Sequence, residues 1–223
     1  MTTYSELLSA VAATAPTAAE PAGAGQAIHD PATGELLGHA PVLADVDGAV
    51  ARARVAQPSF AALGDSARRE LLLAAADAVE AAADALAELL SREQGKPLNG
   101  PNARFEVGAC AAWLRATASF DSPDYVAVDD DIKATVTYRP LGVVGAVGPW
   151  NWPMMITVWQ IAPALRMGNA VVVKPSEYTP LSVLALAHVL NSVLPDDVLQ
   201  VVTGDGAVGA QLTAHPDVDK IMF

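Results

Sequence analysis

Residues 145–155 read GAVGPWNWPMM, a run that sets one polar side chain, Asn151, between Trp150 and Trp152, with Pro149 and Pro153 outside them. The apolar residues before it (Val143, Val144, Ala146, Val147) predict a buried strand. Those after it (Met154, Met155, Ile156, Val158, Trp159, Ile161) predict a helix. Proline suits a first helical position, where its missing N–H would have no partner anyway, so Pro153 marks the turn from strand to helix. Asn151 then falls at the carboxyl end of a strand, where open α/β sheets place their ligands.

From Leu141 onward the same rhythm repeats. Strands are expected over Val143–Val147, Ala170–Lys174, Val198–Val202 and Val218–Phe223, with helices beginning at Pro153, at Pro180 behind a Thr179 cap, and near Ala207. Near-continuous apolar strands alternating with helices imply a parallel sheet covered on both faces. The fold class is therefore α/β: a Rossmann-like, doubly wound parallel sheet preceded by an N-terminal helical region.

Upstream the chain is alanine-rich. Leu72, Ala76, Val79, Ala83, Leu86 and Leu90 recur at steps of four and three, the stripe of one long helix from Asp65 to Gln94. Asp65 or Ser66 is expected to cap it, and Gly95 with Pro97 to end it. A second helix is expected from about Asn102 to Phe120. An extended stretch around Gln26–Pro41 with a turn at Thr33-Gly34, then a helix from near Asp45, precede them. Between Asp121 and Asp131 the chain turns polar, with Asp129, Asp130 and Asp131 in succession. The stretch Ile132–Arg139 then alternates apolar and polar, the period of a half-exposed strand. These changes divide the chain into residues 1–122, 123–140 and 141–223.

At 223 residues and 52% hydrophobic, the chain can build a sizeable core. Its 13 Lys+Arg against 25 Asp+Glu, a net charge of -12, oppose a phosphate-rich partner. Nucleic acid and anionic membrane surfaces are set aside on that ground. The N-terminus MTTYSELL lacks the basic start of a signal peptide, and no apolar run approaches the ~18 residues that suggest a membrane span. The single cysteine, Cys110, gives no internal disulfide. A cytoplasmic protein is the expectation. His29, His39, His188 and His215 are scattered without metal-ligand spacing, and no metal site is proposed.

Three strand ends face one sheet edge: Gly148–Asn151, Lys174–Glu177 and Thr203–Gly209. In KPSE, residues 174–177, Lys174 and Glu177 suit ribose and phosphate recognition, or else a solvent-reaching lysine and a capping glutamate. A carboxylate at Glu177 would repel a 2′-phosphate and so favours NAD, with NADP as the alternative. Gly204-Asp205-Gly206-Ala207-Val208-Gly209 fits G-x-G-x-x-G but has no acidic residue ~20 positions on. Its glycines are read as close-approach backbone near a nucleotide. Cys110, inside VGACAAWL, has no basic neighbour to activate it and is read as an inert core thiol. Asn151 has two open readings, a helix cap or an amide that donates to a developing oxyanion, worth about 2.7–4 kcal/mol when one such donor is removed.

The run GVVGAVGPWNWPMMITVWQIAPALRMGNAVVVKPSEYTPLS, followed by LQVVTGDGAVGAQLTAHPDVDKIMF, resembles the NAD(P)-dependent aldehyde dehydrogenase superfamily. DPATGELLG and SREQGKPL match its N-terminal region. The resemblance implies that Asn151 is the side-chain donor of an oxyanion hole and that Trp150 and Asn151 line the nicotinamide end. It further implies that Lys174, Ser176 and Glu177 hold the adenosine ribose, that Gly206 and Gly209 border the adenine, and that Ile132–Arg139 is an oligomerisation strand. A small aldehyde substrate and a homo-oligomer when full length are implied as well. The family's Thr-Gly-Ser turn, general-base glutamate and nucleophilic cysteine would follow the last strand, so the chain reads as an N-terminal portion that is inactive alone. The alternative is a short non-catalytic nucleotide-binding or subunit-pairing module.

Overall fold

A computed structural model describes residues 2–13, 25–121, 124–129 and 132–223. Its centre is a sheet of four parallel strands, β5 (Val143–Val147), β6 (Ala170–Lys174), β7 (Leu199–Val201) and β8 (Lys220–Met222), in the order β7-β6-β5-β8. Pairing is in step from Val143 opposite Ala170 to Val147 opposite Lys174, which brings the carboxyl ends of β5 and β6 level. The outer strands are shorter than the apolar runs suggest: β7 by one residue at each end, β8 by two at its start and one at its end.

Both faces of the central strands β5 and β6 are buried, and the alternation of side chains sorts them into two cores. Val144, Ala146, Val171 and Val173 pack toward α6 (Pro153–Arg166) and α7 (Pro180–Asn191). Val143, Ala170 and Val172 pack on the other side with α2 (Val46–Ala62) and α8 (Gly206–Ala214). This is the doubly wound arrangement expected. Over α6 and α7 lie α1 (Tyr4–Ala13), α3 (Asp65–Ala81), α4 (Ala83–Gln94) and α5 (Ala103–Ser119). The hairpin of β1 (Gln26–His29) and β2 (Leu36–Ala40) turns through Gly34 at φ 76°.

Four sequence expectations are corrected. The long helix breaks at Ala82, whose N–H is shared between Ala78 and Val79. Both halves pack on α5 and α7, and the break lets α3 reach α6 while α4 turns to α1. Neither Asp65 nor Ser66 caps α3: Gly64 holds the cap position, and Asp65 is drawn off to an ion pair with the buried Arg166. Thr179 stands at the cap of α7 without a side-chain cap bond. The polar stretch after Asp121 contains a strand, β3 (Tyr125–Asp129), paired antiparallel with β4 (Ile132–Val136). The pair stands away from the core, with Val126, Val128 and Ile132 exposed, so its period reports no buried face. Asp130 and Asp131 of the acidic run lie outside the described residues.

Among the described residues no helix is long and apolar enough to cross a membrane.

Candidate functional site

The chain leaves β5 at Gly148, whose N–H donates to the Lys174 carbonyl at 2.9 Å, one pair beyond the strand register. A Cβ at Gly148 would come 2.6 Å from Thr157 Oγ1 and 3.8 Å from Pro175 Cα. The tight contact is with α6, so a side chain here would displace Thr157, while the spacing to the neighbouring strand end is ordinary van der Waals contact. Trp150 and Asn151 follow, both exposed, and α6 begins at Pro153.

Asn151 does not cap α6. Trp152 occupies the cap position and makes no side-chain cap bond. The first free N–H groups of the helix, those of Met154 and Met155, donate instead to Glu106 Oε1 on α5 at 2.9 and 3.1 Å. Glu106 is fully buried, and its other oxygen accepts from Lys96 Nζ at 2.6 Å. Lys96, 10% exposed, also donates to the Asn151 carbonyl at 2.9 Å and lies 4.1 Å from the centroid of the Trp152 ring. Gln94 Nε2 reaches the same carbonyl at 3.4 Å. The backbone of Asn151 is thus held from two directions, while its side-chain amide has no hydrogen bond among the described residues. An exposed amide at a strand end on a fixed backbone is free to donate to a ligand.

The second strand end is built the same way. Lys174 is buried; its Nζ donates to the Pro175 carbonyl at 2.9 Å and lies 3.7 Å from Glu177 Oε2. Ser176 is buried too, its Oγ accepting from the Tyr178 N–H. Glu177 caps nothing: its carbonyl is tied to Gln26 Nε2 at 2.8 Å and its carboxylate is partly exposed. The start of α7 is capped by Glu93, the last-turn residue of α4. Its two oxygens accept from the N–H groups of Leu181 and Ser182 at 2.6 and 2.9 Å. Burial pushes the Glu93 carboxyl up to about 7, against the pull of the Ser182 and Leu181 contacts.

At the third strand end Thr203 bonds back to Pro41 and Leu43, and Asp205 caps α8 by accepting from Ala207 N–H at 2.9 Å. Gly209 rests on the Lys174 stem, where a Cβ would lie 3.4 Å from Cδ. A Cβ at Gly206 would meet nothing within 4 Å. Lys174, Ser176, Glu177 and Gly209 therefore form one cluster, joined to Trp150 and Asn151 through the Gly148–Pro175 approach. Gly206, the first residue of α8, is not brought against that cluster by any contact.

Cys110 is fully buried on α5, and burial, then the charge of Glu106, push its thiol well above the ordinary value. Among the described residues no group of His, Cys, Asp and Glu could hold a metal.

The residues that sequence reasoning missed are Glu93, Gln94, Lys96 and Glu106. A signal for the glutamates was present: Glu106 falls on the stripe Ala103, Val107, Cys110, Leu114, and Glu93 three residues after Leu90. A carboxylate on a core-facing stripe needs a partner, and the start of another helix supplies N–H donors.

The sequence profile of the aldehyde dehydrogenase family matches residues 19–223. A protein of Gibberella fujikuroi named as an aldehyde dehydrogenase is 40% identical over 179 residues, which are 80% of this chain and 38% of that protein. The NADP-dependent glyceraldehyde-3-phosphate dehydrogenase of Bacillus halodurans C-125, solved with NADP, superposes with a TM-score of 0.84 at 34% identity, over 88% of this chain and 44% of that one. PnpE, solved from Pseudomonas sp. WBC-3 and also in complex with nicotinamide adenine dinucleotide, gives 0.80 at 39% identity, over 87% and 41%. The chain spans about two fifths of the relatives it matches. With that match over most of its length, and with Asn151 and the 174–177 turn side by side on one sheet edge, the chain belongs to the aldehyde dehydrogenase family.

Proposed function

We propose that the chain is the N-terminal, cofactor-cradling portion of an enzyme that oxidises an aldehyde to a carboxylic acid with NAD(P)+ through a cysteine thioester. The observation that carries this reading is the Asn151 amide, exposed and unpaired on a braced backbone beside the Lys174–Glu177 turn. In this role Asn151 Nδ2 donates to the aldehyde oxygen as it gains charge under attack by a thiolate. Cys110, buried and hard to ionise, is not that thiolate, so the nucleophile belongs to sequence outside this chain.

The residues fit a nicotinamide dinucleotide. Lys174 Nζ uses one of its three donors on Pro175 and keeps others for ribose or phosphate oxygens, while the Glu177 carboxylate accepts from ribose hydroxyls. Ser176 completes that contact, and Gly206 and Gly209 leave backbone bare where the adenine would lie. Trp150 and Asn151 line the nicotinamide end. Bound there, the cofactor supplies the hydride acceptor. Glu177 favours NAD over NADP by repulsion of a 2′-phosphate. The exposed β3–β4 pair serves a homo-oligomer, and the location is cytoplasmic.

The test is Asn151→Ala in the full-length enzyme. Acylation is expected to fall by about 10² to 10³, the range for one lost oxyanion donor, with NAD affinity unchanged. Weakened NAD binding with normal turnover would overturn the reading. The 223-residue chain alone is expected to form no NADH or NADPH from short, long or aromatic aldehydes.

A further inference from the structure

We infer that Lys96 is a positioning residue: through the Asn151 carbonyl it sets the angle at which the Asn151 amide is presented. The inference rests on the oxyanion role proposed for Asn151.

A side chain can present an amide accurately only if its own backbone is fixed. At Asn151 the local chain cannot do this. The residue lies between the end of β5 and the first turn of α6, outside both hydrogen-bond ladders. Its carbonyl is held instead by Lys96 Nζ at 2.9 Å and, more weakly, by Gln94 Nε2 at 3.4 Å, two residues that flank Gly95. Lys96 is fixed in turn by Glu106 Oε2 at 2.6 Å and by the face of Trp152. A charged donor, largely withdrawn from solvent and pinned on two further sides, has little freedom to follow a moving carbonyl. It makes the carbonyl come to it.

The two jobs around Glu106 are separable. One oxygen caps α6 through Met154 and Met155, and this needs no lysine. The other only anchors Lys96. Replacing Lys96 therefore takes the charged donor from the Asn151 carbonyl, leaving only Gln94, while the Met154 and Met155 contacts to the other Glu106 oxygen remain, with a global loss of stability because the buried carboxylate loses its counter-charge. Glu93, one residue before Gln94, meanwhile caps α7. The segment Glu93–Lys96 thus braces both ligand-facing turns, Glu93 the turn after β6 and Lys96 the turn after β5.

Lys96→Met keeps the stem over Trp152 and removes the donor; Lys96→Arg restores one. In the 223-residue chain labelled with 15N, Lys96→Met is expected to shift and broaden the Asn151 side-chain NH2 pair, while exchange at the Met154 and Met155 amides rises no more than at the other slowest-exchanging core amides. In the full-length enzyme the same change is expected to lower kcat by about 10- to 100-fold, the scale of a small misplacement near reacting atoms. KM for NAD is expected to stay within about twofold, and Lys96→Arg to recover part of the rate. If Lys96→Met does not fold, Gln94→Leu is read in the same two assays, with a smaller shift and a loss of a few fold expected. Unchanged Asn151 resonances and unchanged kcat, with Asn151→Ala still damaging, would overturn this inference alone. A silent Asn151→Ala would overturn the oxyanion reading and this inference with it. Exchange at Met154 and Met155 accelerated beyond that of the other core amides, or kcat and KM changing together, would assign Lys96 to stability only.

Discussion

The helices after β5 and β6 begin alike and are held differently. Both open on a proline, and each has its first free N–H pair bound by a buried glutamate from an earlier helix: Glu106 for α6, Glu93 for α7. Glu106 has Lys96 against its second oxygen. Glu93 spends both oxygens on N–H groups, and no cation pairs with it among the described residues. The first site therefore carries a fixed ion pair that can brace a third party, the Asn151 carbonyl. The second is a carboxyl whose ionisation burial opposes. A cap made in trans joins two helices that are far apart in sequence, so each glutamate also ties the helical layer to the sheet edge where ligands are expected.

The largest effect follows from removing the ion pair's acid. Glu106→Leu leaves Lys96 buried without a counter-charge and the Met154 and Met155 N–H groups unpaired. Breaking a buried pair from one side costs about 3–5 kcal/mol, read as a fall in urea midpoint at constant slope. A loss under about 1 kcal/mol would mean that Lys96 swings out to solvent and that the brace is weak.

Glu93 behaves differently because its response depends on pH. Its carboxyl stands at about 7 in the folded chain against an ordinary 4.5, so the folded state holds the proton more tightly than the unfolded state. The stabilisation is complete below about pH 4.5 and disappears as pH rises through about 7. At about 1.4 kcal/mol per pH unit, this one group is worth about 3 kcal/mol across that window. Glu93→Gln, which keeps an acceptor and cannot ionise, is expected to remove that share of the pH dependence. Urea unfolding at pH 5 and pH 8 measures it, and parallel slopes for both proteins would show that Glu93 is ionised throughout.

Between the two caps lies Gly95, in the left-handed region at φ 78°, where a Cβ would meet Pro31 Cγ at 2.7 Å. Gly95→Ala is expected to cost about 1–2 kcal/mol from conformation alone. Because Gly95 joins Glu93 to Lys96, the loss should be accompanied by faster amide exchange at both helix starts. Faster exchange at only one of them would show that the caps act independently.

These caps also mark where sequence reading stops. The sheet, its direction and the three clustered strand ends follow from the pattern of the apolar residues, because burial on both faces leaves the two central strands apolar up to Lys174. Gly148, Asn151 and the Lys174–Glu177 turn were legible as interruptions of that pattern. The helix break at Ala82 was not, since alanine favours a helix and the two halves part only in the packed fold, where α3 reaches α6 and α4 reaches α1. Thr179 and Asn151 looked like caps because local residues usually are. Here the donors are met by Glu93 and Glu106, 88 and 48 residues away from the N–H groups they bind, and such a partner is visible only once the helices have packed.

The smallest effect is expected at Glu177, on the turn that Glu93 supports from behind. Its carboxylate is partly exposed and 3.7 Å from Lys174 Nζ, a separation at which an ion pair contributes under about 1 kcal/mol. Glu177→Gln should therefore leave the urea midpoint almost unmoved. What it removes is a negative charge beside the proposed ribose position. NAD binding should weaken a few fold through a lost charge-assisted hydrogen bond. NADP, freed from repulsion at its 2′-phosphate, should weaken less or bind better, so the NAD-to-NADP affinity ratio falls. Calorimetric titration of both cofactors against the parent and variant measures that ratio. A parent that already prefers NADP, or a ratio unchanged by the substitution, would remove Glu177 from the ribose contact and leave the turn after β6 with Lys174 and Ser176 as its recognition groups.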